Sequence, residues 1–143
     1  MKKLAKSLAI VMLIVMSLAL LVSCGPNSDP DKALASLKKN EFVAGKATDA
    51  FSLGVVQVAI GADNGDITAI VSGSKVAKDD ENNTKSDSIT IIYFKDGKTA
   101  DKLWTKIEEY ANEKNEDKES DWVIKKSGAM VYFGTKGGVK AAA

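Results

Sequence analysis

The chain has 143 residues, which suits one domain and not comfortably two. Its twenty cationic residues are all lysine, against nineteen Asp and Glu, with no histidine and a single cysteine. Those counts speak against an arginine-bearing nucleic-acid face. They also exclude Cys/His zinc sites, an intramolecular disulfide and the commonest His- or Cys-based catalytic pairs.

Met1-Lys2-Lys3-Leu4-Ala5-Lys6 is a positive n-region, and Ser7 to Leu21 is an apolar run. That run is shorter than the ~20 residues a spanning helix needs, and it stops at small residues, as a cleavable secretion signal does. Leu21-Val22-Ser23-Cys24 closes it. This tetrapeptide resembles the lipobox of bacterial lipoproteins. The resemblance implies cleavage between Ser23 and Cys24 and a diacylglyceryl thioether on Cys24. Only a thiol takes that group, and a small residue before it lets the dedicated peptidase reach the bond. Two acyl chains make a stable anchor where one gives marginal binding.

Position 25 is Gly, not Asp, so the familiar inner-membrane retention signal of Gram-negative cells is absent. The Lys-rich, Arg-free composition leans towards a low-GC Gram-positive host and the outer face of its cytoplasmic membrane. The expected division is a signal peptide at 1–23, the acylated Cys and a tether at 24–30, and one domain at 31–143. Without the signal, seventeen lysines face nineteen acids, and no nucleic-acid partner is expected.

Gly25-Pro26-Asn27-Ser28-Asp29-Pro30 reads as a tether with nothing to pack. Asp29 or Asp31 can cap a helix to about Lys39, with Ala33, Leu34 and Leu37 as its apolar stripe. Glu41–Ala47 reads as a short strand. Residues 50–60 admit two readings. Val55, Val56, Val58 and Ile60 favour a strand, while Thr48-Asp49 and Gly61 look like caps of a buried helix. The β-branched residues tip the balance to a strand. Asp63-Asn64-Gly65-Asp66 is a turn and Ile67–Ser72 a strand. Residues 76–87 are polar and read as a loop.

Ser88-Ile89-Thr90-Ile91-Ile92-Tyr93-Phe94 is the clearest strand, and being apolar on both faces it belongs in the centre of a sheet. Asp96-Gly97 leads into a helix over 98–114, with Leu103, Trp104 and Ile107 on its apolar face. Asp121–Lys126, Ser127-Gly128 and Ala129–Gly134 predict a hairpin packed by Trp122, Ile124, Val131 and Phe133, and Thr135 can cap a short final helix. The element order predicts an α+β single domain, a mostly antiparallel sheet with helices packed on one face.

No motif for chemistry completes itself. Ser72-Gly73-Ser74-Lys75 lacks the S-x-x-K spacing, and Gly97-Lys98-Thr99 lacks the upstream glycine of a P-loop, where Ile92 stands. Gly134-Thr135-Lys136-Gly137-Gly138 can offer backbone amides to an anion. The acidic runs 79–81 and 116–121 do not match a calcium loop. No catalytic residue, metal ligand or cofactor is expected, and no ligand-binding residue can be singled out.

The mature part also resembles small uncharacterised lipoproteins of low-GC Gram-positive bacteria, through Asp-Pro-Asp-Lys-Ala, Asp-Ser-Ile-Thr-Ile-Ile-Tyr-Phe and Val-Tyr-Phe-Gly-Thr-Lys. That resemblance implies no activity and no site residues. The preferred reading is a lipid-anchored domain that binds an envelope protein, peptide or small ligand without catalysis. A structural or envelope-stress accessory protein and a small carboxylate-based hydrolase are the alternatives. An exposed apolar patch or deep pocket favours the first, and paired buried carboxylates in a cleft favour the last.

Overall fold

A computed structural model describes residues 25–78, 81–116 and 118–143. Ser23 and Cys24, the expected cleavage and acylation residues, lie outside them. Helix α1 (Pro30–Lys39) starts where Asp29 accepts hydrogen bonds from the backbone N–H groups of Asp31 and Lys32, and it ends at Asn40. Strand β1 (Val43–Ala47) follows, then helix α2 (Ala50–Ile60). Strands β2 (Ile67–Lys78) and β3 (Thr84–Phe94) form a long hairpin. Helix α3 (Gly97–Glu113) is capped by Asp96. Strands β4 (Trp122–Ser127) and β5 (Met130–Thr135) form a second hairpin, and Thr135 caps helix α4 (Lys136–Ala141).

The five strands form one sheet in the order β1-β2-β3-β5-β4, with every neighbouring pair antiparallel. The α+β class and the central place of β3 are as the sequence predicts. The helices differ from the expectation, because they cover both faces rather than one. β3 itself supplies the reason. Ile89, Ile91 and Tyr93 point into a core with α1 and α4, while Ile92 and Phe94 point into a second core with α2 and α3. A strand apolar on both faces needs an apolar cover on each.

Two elements depart from the sequence reading. Residues 50–60 are helical, not a strand. Asp49 accepts from the Ser52 N–H at 2.9 Å, and Gly61 closes the helix in the left-handed region at φ 68°. These caps satisfy backbone groups at both ends, and that outweighs the weak strand preference of the valines. The polar stretch 76–87 is mostly ladder rather than loop. Pairs from Ser74–Ser88 to Lys78–Thr84 carry the hairpin outward as a two-stranded ribbon. Its side chains are largely exposed, so no apolar alternation marks it in the sequence.

Leu103 and Ile107 are buried as expected on α3, but Trp104 is only partly buried, with the Lys126 ammonium 5.8 Å from its ring centroid. The segment expected to hang free is docked. Pro26 is buried, the Asn27 N–H donates to the Ala142 carbonyl at 2.9 Å, and the Tyr93 hydroxyl donates to the Asn27 carbonyl at 2.8 Å. Gly25 lies against the Tyr132 ring, so close that a Cβ there would sit 3.1 Å from the phenol oxygen.

Candidate functional site

The most unusual surface is the outer side of α2. Its eleven residues include no charge, and only Leu53, Gln57 and Ile60 are buried. Phe51, Val55 and Val58 are 85%, 63% and 84% exposed. Spacings of four and three residues put all three on one side of the helix, opposite the buried stripe. An ordinary surface helix is polar on that side. The exposed stripe amounts to roughly 300–400 Å², as large as the largest apolar patch on a typical monomer.

Polar groups sit at both ends of the stripe. Asp49 caps the helix start, where backbone and side-chain hydrogen bonds from Ser52 hold its carboxyl below the usual range. Beyond the helix end, Lys102 of α3 pairs with Asp63 at 3.7 Å. An apolar centre with a polar rim is the anatomy of a protein–protein contact surface.

Two of the recesses among the described residues, both away from α2, are more enclosed. One of about 460 Å³ lies beside the docked N-terminal segment, between Ser28, Pro30, Thr68, Tyr93, Phe94 and the turn at 127–130. Two of its hydroxyls are engaged: Thr68 Oγ1 donates to the Tyr93 carbonyl and the Tyr93 hydroxyl to the Asn27 carbonyl. Burial, with Asp29 nearby, pushes the Tyr93 phenol well up, so it stays neutral at physiological pH. The other recess, about 120 Å³, is polar and lined by Ser86, Ser88, Lys114, Asn115, Glu119 and Trp122 among others. Among the described residues, no acceptor reaches the buried Nε1 of Trp122.

The fold uses the sequence's near-motifs structurally. Lys75 donates to the Asn40 carbonyl and pairs with Glu41 at 3.0 Å, leaving Ser72 and Ser74 as strand residues. Gly97-Lys98-Thr99 opens α3, and the Thr99 N–H donates to Asp96. At Gly134–Gly138 the chain supplies its own carboxylate. Asp87 accepts from Thr135 Oγ1 at 2.8 Å, and its carboxylate fills the space that a Gly137 Cβ would take. Among the described residues, no cluster of three or more acidic, Cys or His side chains is placed to hold a metal ion.

Asp66 is the one carboxylate among the described residues that is buried. It accepts from the Asp63 N–H and pairs with Lys95 at 2.6 Å. The Lys95 hydrogen bond, then that backbone bond, holds its carboxyl below the usual range, and the same pairing raises the Lys95 ammonium. Asp96 is lowered likewise by its Thr99 bonds.

These shifts fix the pH response. A carboxylate lowered by folding contributes stability above its unfolded value of ~3.9 and loses it as pH falls through the folded value. A lysine or tyrosine raised by folding contributes below its unfolded value of ~10 and loses it as pH climbs through the folded one. With no histidine in the chain, the urea midpoint should be flat from about pH 5 to 9 and fall on both sides. Asp66→Asn should shallow the acid limb. A midpoint that moves across pH 6–8 would contradict this account.

Comparison with protein-family models, with curated proteins and with solved structures gives no match.

Proposed function

We propose that this chain is a lipid-anchored lipoprotein of the bacterial cell envelope, acylated at Cys24, whose domain works by binding an envelope protein or peptide without catalysis. The observation that supports binding is the uncharged stripe of Phe51, Val55 and Val58 held in solvent on α2. Leaving three large apolar side chains in water forgoes roughly 1.5–3 kcal/mol each, so a covering partner is the economical explanation. Phe51 is the natural anchor, since aromatic residues at the centre of a contact dominate binding energy.

Chemistry as the main activity has less support. The buried carboxylate Asp66 is held ionised by Lys95, and a group fixed in one protonation state at neutral pH is a poor acid or base. A purely structural accessory role leaves the stripe unexplained.

A photo-crosslinking amino acid in place of Phe51 tests the reading in cells, against the same group in place of Glu109 on α3. Position 51 should give an adduct of one defined mass, lost when Val55 and Val58 are both replaced by Ser. Position 109 should give none. Equal yields at the two positions, or none at either, would refute a binding role for α2.

A further inference from the structure

We infer that the domain lies flat on its own membrane, with the outer faces of α1 and α4 against anionic lipid headgroups and the α2 stripe turned away. This deepens the binding proposal and rests on acylation of Cys24.

The first argument is covalent. Cys24 directly precedes Gly25, and one residue of chain spans at most about 3.6 Å. Gly25 packs on Tyr132, Pro26 is buried, and Asn27 is fastened to both Ala142 and Tyr93. There is no slack between the anchor and the fold. Tyr132, Tyr93 and Ala142 all belong to the core under α1 and α4, so the anchor leaves the domain on that side of the sheet. Leu53 and Ile60 of α2 belong to the other core.

The second argument is charge. The mature chain is slightly acidic, yet α1 and α4 together carry five lysines against one aspartate. Ala33 and Leu37 face inward on α1, which leaves Asp31, Lys32, Ala35, Lys38 and Lys39 exposed on its outer side. Gly138 and Ala141 face inward on α4, leaving Lys136 and Lys140 outside, one helical turn apart. The single aspartate, Asp31, pairs with Lys46 of β1. Among the described residues, none of the five lysines forms an ion pair that would offset its charge. Unpaired lysines beside a lipid anchor match the negative surface of an anionic leaflet, which attracts basic residues within a Debye length. The opposite face offers lipid no such attraction, because α2 has no charge and α3 carries three lysines against four acids.

The geometry gives a clear readout. A helix about 10 Å thick on each side of a sheet puts the outer sides of α1 and α2 roughly 30 Å apart. The full acylated chain is placed in vesicles, carrying either Ala35→Cys on α1 or Ala59→Cys on α2, each labelled with the same dye. Both positions are exposed alanines. Half the vesicles are phosphatidylcholine alone and half contain phosphatidylglycerol, all with a nitroxide quencher on the headgroup. In anionic vesicles the dye at 35 should lose most of its emission and the dye at 59 almost none. The contrast should shrink in neutral vesicles, in high salt, and when Lys136 and Lys140 are both replaced by Glu. Equal quenching at the two positions would mean a domain tumbling on an undocked tether, and stronger quenching at 59 would put the stripe in the lipid. Either result overturns the proposal, as does a contrast indifferent to lipid charge. Intact mass reads the anchor separately: a chain without the diacylglyceryl group fails the lipoprotein reading itself, and the orientation falls with it.

Discussion

Gly134→Ala should lower the urea midpoint of the chain sharply, while Gly54→Ala should raise it slightly. Gly134 has φ 153°, which L side chains rarely adopt, and an added Cβ would lie 2.2 Å from the Ser88 carbonyl oxygen and 2.8 Å from the Ile89 Cα. Both are backbone atoms of β3, held in register by the pairing of Ile89 with Gly134, so neither can yield without breaking the central ladder. A Cβ added at Gly138 of α4 would meet the same carbonyl oxygen, again at 2.2 Å. The Ser88 carbonyl is thus wedged between two glycines, and either alanine forces the central strand to move. Steric conflict with fixed backbone plus a rarely adopted φ belongs to the uncommon changes costing over ~4 kcal/mol, a large share of a total stability of about 5–15 kcal/mol. Gly54 is the control. It sits inside α2 with nothing within 4 Å of an added Cβ, so alanine brings only the helix-propensity gain of about 0.5–1 kcal/mol. Circular dichroism and urea melts decide the matter, and a Gly134→Ala midpoint near that of the parent chain would refute the wedge.

What the sequence could reveal followed the periodicities and caps. β3 was legible because Ser88–Phe94 alternates on two apolar faces. α3 was legible because Asp96 precedes an apolar stripe that repeats at helical spacing. The same two-faced β3 requires covers on both sides of the sheet, which is why the helices are not confined to one face. Residues 50–60 misled because α2 is apolar almost all round, which erases the helical period; the caps Asp49 and Gly61 were the better signal. The ribbon at 76–87 was hidden for the opposite reason, being polar on both sides.

The candidate site was not legible, and no closer reading would have made it so. Phe51, Val55 and Val58 look like core residues in the sequence, since exposure depends on what the rest of the chain places over them. α3 packs beside α2, and among the described residues nothing packs above it. The docked segment was missed for a similar reason. Composition says that Gly-Pro-Asn-Ser-Asp-Pro is flexible, but the bonds that hold it are made by the Asn27 backbone, which leaves no trace in composition.

Cys24→Ala should reduce labelled fatty-acid incorporation to background and remove the diacylglyceryl mass from the purified chain. The chain has one cysteine, so no second thiol can take the lipid in its place. Ser23→Leu separates the two steps. Filling the small position before the scissile bond blocks the peptidase and spares the thiol, so label should stay while the mass still includes residues 1–23. The pair also discriminates against an uncleaved apolar helix as the anchor. Such a helix would hold the parent chain, Cys24→Ala and Ser23→Leu in the membrane alike, with residues 1–23 present and no lipid on any of them. An acylated cysteine instead predicts three different masses. A second acyl chain is what turns marginal attachment into lasting attachment, at ~0.8 kcal/mol per buried methylene, so loss at Cys24 should be all or none. Undiminished label on Cys24→Ala would remove the anchor, and with it the reason for the docked Gly25 and the unpaired lysines to lie on the same side of the sheet.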